Sequence, residues 1–118
     1  MILIGVAVLT LAGTAQAGRW AWPAGTAAAI SRALGGPPKH PAYQGGILCD
    51  KNASDEIICS DSAGARLGAL YFWRVGQCRM RVEVGSGSPA HTRSALRRSG
   101  LKPGVQRIPG FLLIRGCS

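Results

Sequence analysis

Acidic residues are scarce in this 118-residue chain: Asp and Glu total 5 against 14 Lys and Arg, a formal net charge of +9. Long apolar runs are also missing. The longest, Ile2 to Ala12, falls short of the ~20 residues that cross a bilayer as a helix. No C-x-x-C pair occurs, and neither His40 nor His91 lies near a cysteine in sequence, which argues against a zinc site. There is no Ser/His/Asp set, no spaced pair of carboxylates and no phosphate-cradling glycine loop. No catalytic residue, cofactor or metal is therefore expected. Gly (17) and Pro (7) interrupt the chain often enough to argue against long helices and a large α/β enzyme.

What is present begins with an export pattern. The apolar run is followed by Thr14, Gln16 and then Ala15-Gln16-Ala17, an A-x-A cleavage pattern. No Lys or Arg precedes the run. Leu11-Ala12-Gly13 would open a lipobox, but Thr14 stands where the lipid-bearing cysteine must be. The expectation is a signal peptide over 1–17 and a periplasmic or secreted product without a transmembrane span. In that oxidising setting Cys49, Cys59, Cys78 and Cys117 read as two disulfides. Three pairings are possible, and Cys49–Cys59 with Cys78–Cys117 is favoured. A chain folding back over a short helix would bring the first pair together, and the second would anchor the apolar run Phe111–Ile114.

Residues 18–46 form a Gly/Pro-rich arm in which Thr26 can cap a short helix through Leu34, with Gly35 as its stop. Trp20 and Trp22, at strand spacing, would cover the core. Residues 47–118 form the cysteine-containing domain, best defined over 47–78. Asn52 can cap a helix from Ala53 to Cys59, with Asp55 and Glu56 in its first turn. A second helix starts near Asp61 or Ser62, where Leu67, Leu70, Tyr71, Val75 and Cys78 make one apolar stripe. Met80, Val82 and Val84 then alternate like a strand, and Ser88-Pro89 opens a surface helix that Gly100 stops. Pro103 and Pro109 limit regular structure beyond it, so 79–118 reads as basic and irregular. The fold class expected is mainly α, a small disulfide-stapled helical domain with irregular connections.

Charge divides the chain in two. Residues 1–61 carry four basic and four acidic residues, whereas 62–118 carry ten basic residues and only Glu83. Such a surface attracts polyanions. Readers of single-stranded nucleic acid add stacking aromatics to their basic groups. Here the basic half has only Tyr71, Phe72, Trp73 and Phe111, three of them beside the apolar stripe, so no specific nucleic-acid partner is expected.

One stretch carries a resemblance. Ile47-Leu48-Cys49-Asp50-Lys51-Asn52-Ala53-Ser54-Asp55-Glu56-Ile57-Ile58-Cys59-Ser60-Asp61, followed by Leu67, Leu70 and Tyr71, resembles the N-terminal module of the LprI-type lysozyme-inhibitor family of exported bacterial proteins. The matching positions are Cys49, Lys51, Ser54, Glu56, Ile58, Cys59, Asp61, Leu67, Leu70 and Tyr71. The resemblance covers about residues 47–74 and implies a non-enzymatic inhibitor with lysozyme as its partner. Lys51, Glu56, Ile58, Asp61, Leu67, Leu70 and Tyr71 are expected to be structural. The second expectation is a basic envelope protein that binds anionic polymer or lipid through Arg93, Arg97, Arg98 and Lys102. Common lysozymes are basic and would be repelled at long range by a +9 chain. An inhibitor would have to present Asp50, Asp55, Glu56 and Asp61.

Overall fold

The computed structural model describes residues 20–36, 46–61, 69–88 and 90–117. The 1–17 segment, Pro89, Leu67 and the Asp61 side chain lie outside the described residues. In chain order the elements are α1 (Thr26–Ala33), β1 (Ile47–Ala53), β2 (Glu56–Asp61), β3 (Leu70–Arg74), β4 (Arg79–Val84), α2 (Ala90–Arg98), β5 (Gly104–Arg107) and a 3-10 turn, Gly110–Leu112. The strands form one antiparallel sheet in the order β1-β2-β3-β4-β5. The mainly α expectation is therefore overturned: the domain is a five-stranded sheet with two short helices among its described residues.

The error lies in the period read over 47–78. Ile57 and Cys59 are buried while Ile58 between them is half-exposed, and Leu70 and Phe72 are buried while Tyr71 and Trp73 are not. That is a period of two, one face of a strand. The stripe Leu67-Leu70-Tyr71-Val75-Cys78 fits a helical wheel only by counting Tyr71 and omitting Phe72 and Trp73. An Ile-Ile and a Tyr-Phe-Trp run favour the pleated surface, where branched and aromatic side chains pack well. Asn52 does not cap a helix either. It sits where the β1–β2 register shifts, and its amide donates to the Glu56 carboxylate at 2.6 Å beside the two-residue turn Ser54-Asp55. Glu56 is thus a hairpin residue, with no helix dipole to meet.

Elsewhere local signals and structure agree more closely. Gly35 and Gly100 follow α1 and α2 with φ of 114° and 78°, a left-handed backbone that ends a helix without a Cβ penalty. The N-cap of α1 is Gly25 rather than Thr26, whose hydroxyl instead donates to the Pro23 carbonyl at 2.9 Å. The two prolines near the end do not exclude regular structure. They bracket β5, an edge strand, where a residue without an N–H is tolerated on either side.

Both helices pack on the same face of the sheet. The core joins Trp22, Ile30 and Leu34 to Ile47, Ile57, Leu70, Phe72, Met80 and Val82 of the strands and to Ala95 and Leu96 of α2. Ser99 ties the helix layer together by donating to the Ala33 carbonyl at 2.9 Å. The disulfides are Cys49–Cys59 and Cys78–Cys117. The first needs no helix to bring its ends together. Cys49 and Cys59 are direct cross-strand neighbours, with Cα atoms 4.0 Å apart and both sulfurs on the core side.

Candidate functional site

With helices on one face only, the other face of the sheet is left to solvent among the described residues. Its composition follows from the register. One row runs Asp50, Ile58, Tyr71, Glu83, and the next runs Glu56, Trp73, Arg81, Val105. A third pairs Arg79 with Arg107. Asp50 and Glu56 lie on β1 and β2 and the arginines on β4 and β5, with Glu83 also on β4, two residues beyond Arg81. Arg79, Arg81 and Arg107 are all exposed. Strands lie about 4.8 Å apart and alternate residues about 7 Å apart, so the three side chains start from one small patch.

Aromatic rings adjoin this patch. Tyr71 and Trp73 stack with centroids 5.4 Å apart and an interplanar angle of 6°, and the Arg81 guanidinium lies 4.7 Å from the Trp73 centroid. The ring surfaces are thus engaged with each other and with Arg81, a cation–π contact worth about 0.5–1 kcal/mol at an exposed site. The ladder fixes where Arg81 points.

Arg74 has a different duty. Its guanidinium donates to the Ala21 carbonyl at 2.6 Å and to the Gln77 carbonyl at 2.8 Å, and lies 5.8 Å from the Trp20 ring. Burial lowers its pKa from the ordinary value, yet an arginine stays cationic in water. It clamps the segment before α1 to the β3–β4 turn, so its charge is used within the fold.

The structure divides the basic half read from the sequence. Arg93, Arg97 and Arg98 are exposed on α2, in the helix layer, on the other side of the domain from Arg79, Arg81 and Arg107. Lys102 is exposed in the loop after α2, where Gln106 bonds to its backbone. Sequence reasoning missed the sheet-face patch, although the alternation Arg79-Met80-Arg81-Val82 was visible. The missing information was β5, which places Arg107 beside Arg79. Of the resemblance residues, Glu56 and Ile58 share the open face with Tyr71, Leu70 is in the core, and Lys51 is exposed near the hairpin turn.

A cleft of about 450 Å³ lies between α1 and β1, lined by Ala28, Ser31, Arg32, Leu48 and Cys49. Among the described residues Arg32 is its only ionisable lining group. Among the described residues no three His, Cys, Asp or Glu side chains gather as a metal site, and all four cysteines are in disulfides. No described helix is long and apolar enough to cross a membrane. Fold and surface together define a two-layer α+β domain, disulfide-stapled, whose open sheet face carries three arginines on β4 and β5. No family model, curated protein or solved structure matches the chain.

Proposed function

We propose that this is an exported, non-enzymatic protein whose β4–β5 face binds an anionic polymer of the cell envelope. The observation that carries this reading is the Arg79–Arg107 pair. The two exposed side chains start from directly opposite positions on neighbouring strands. Arg81 adds a third charge two residues along the same strand. A polyanion laid across the two strands would meet all three guanidiniums together. Two disulfides fit an oxidising compartment, which supports export.

The test compares two triple variants on an immobilised anionic polymer across salt. Arg79→Gln/Arg81→Gln/Arg107→Gln is expected to weaken binding about a hundredfold at low salt, at about 1 kcal/mol per basic residue near an anionic surface. Arg93→Gln/Arg97→Gln/Arg98→Gln should weaken it far less. Equal losses in the two variants would sink the assignment to the sheet face.

The lysozyme-inhibitor reading rests on a smaller observation. The hairpin turn places Asp55 and Glu56 close together, with Asp50 on the same open face as Glu56. The helical module implied by the resemblance is not what residues 47–61 and 69–74 form. Inhibition of lysozyme in a lysis assay that persists at high salt would favour it over polymer binding.

A further inference from the structure

The loop after β5 presents apolar side chains to solvent from a left-handed cap of its 3-10 turn. Leu113 is 87% exposed and holds φ of 54°, a left-handed backbone that a branched side chain adopts only at a cost. Its neighbours Leu112 and Ile114 are buried, so the loop drives Leu113 outward from a fixed base. Phe111, at 39%, is exposed beside it in sequence. The base is tightly held: the Leu113 amide donates to the Gly110 carbonyl at 3.1 Å, the Cys117 amide to the Ile114 carbonyl at 3.0 Å, and Cys117 is bridged to Cys78.

That bridge sets the loop beside the β3–β4 turn, where Val75 is a further exposed apolar residue at 41%. The Ile108 amide donates to the Cys78 carbonyl, which brings Arg107 and Arg79 to the same end of the sheet. Arg115 follows within the loop and is exposed. Residues 109–118 contain no acidic group. The Gly110–Leu112 turn packs against α1, so the exposed apolar side chains lie, as a tip, at the end of the sheet from which Arg79 and Arg107 project on the open face.

We infer that this tip docks on an anionic lipid bilayer, with Leu113 and Phe111 entering the headgroup–acyl boundary while Arg79, Arg107 and Arg115 meet lipid phosphates. The inference builds on the polyanion reading, with which it shares Arg79 and Arg107, and adds an apolar signal to it. Stable membrane attachment generally takes two signals of this kind. A protein partner fits less well. Three exposed apolar side chains are few against the roughly 20–30 residues per side of a standard protein interface. A bilayer accepts a few inserted side chains from any direction.

The experiment uses the oxidised protein, vesicles of mixed phosphatidylcholine and phosphatidylglycerol, vesicles of phosphatidylcholine alone, and a soluble anionic polymer. Wild type should partition onto the anionic vesicles and much less onto the neutral ones. Leu113→Ser should lower vesicle partitioning on the order of tenfold, the loss expected from one buried leucine. It should leave polymer binding unchanged. Leu113→Gly should lose the same partitioning yet raise the thermal midpoint, because glycine takes the left-handed backbone freely. Unchanged partitioning of both variants would overturn the tip and leave the polymer reading standing. Equal partitioning onto neutral vesicles, parallel loss of polymer binding, or a monomer–dimer shift caused by Leu113→Ser would also overturn it. Failure of wild type to bind the polymer, with vesicle binding intact, would remove the earlier reading alone.

Discussion

Cys117→Ser is expected to lower stability by about 4 kcal/mol, read as a fall in the urea midpoint with a steeper slope, because the uncrosslinked unfolded chain exposes more surface. The bridge to Cys78 closes 39 residues of chain, and loop entropy gives that figure under one model of disulfide action. It amounts to a large share of a typical 5–15 kcal/mol. The damage should be uneven. Leu112, Ile114 and Cys117 are all buried in the C-terminal loop, and the bridge is the covalent tie that holds this loop to the β3–β4 turn. Hydrogen exchange should speed up in the loop and β5 well before β1–β3, whose own bridge is intact. Uniform acceleration across the sheet would refute this order. Cys49→Ser should cost about 3 kcal/mol, because its loop spans only 10 residues.

Trp22→Ala is expected to destabilise by about 3–5 kcal/mol, the usual range for emptying a large aromatic site in a core. Trp22 is 1% exposed, and its indole N–H donates to the Phe72 carbonyl at 3.1 Å while its backbone amide donates to the Ser54 carbonyl at 2.8 Å. It therefore joins the segment before α1 to both the β1–β2 turn and β3. Trp22→Phe separates the contributions: it keeps most of the packing and should cost nearer the 0.5–1.5 kcal/mol of one hydrogen bond. Thermal melts of the two variants decide the matter. A Trp22→Ala protein as stable as wild type would mean that the 20–36 segment is not part of the cooperative unit.

How much of this was legible depended on whether the signal was local. The α1 and α2 stops at Gly35 and Gly100, and the strand Met80–Val84, rest on residues adjacent in sequence. Caps and alternation carry them. The stretch 53–78 misled because short apolar runs satisfy two periods at once, and pairing decides between them. Ile57 is buried because Phe72 lies opposite it, a fact that no window of sequence contains. The favoured cysteine pairs are the pairs in the structure, but the reason for the first differs. A folded-back helix was the expectation, and a cross-strand pair is the finding. The candidate patch was half visible. The charge excess after residue 61 pointed to the right half of the chain, yet it selected the helix arginines, because β5 looked excluded by its flanking prolines.

The Arg74 clamp has one more effect. It holds the Ala21 carbonyl and the Gln77 carbonyl with one guanidinium, and the Cys117 sulfur lies 3.1 Å from that same Gln77 oxygen. The first and last parts of the described chain therefore meet at one place, and the backbone between them is nearly a closed ring. In a ring the point of opening is arbitrary. A permuted chain that joins these ends by a short linker and opens at Ser54-Asp55 would keep every strand beside its present neighbour and both bridges in place.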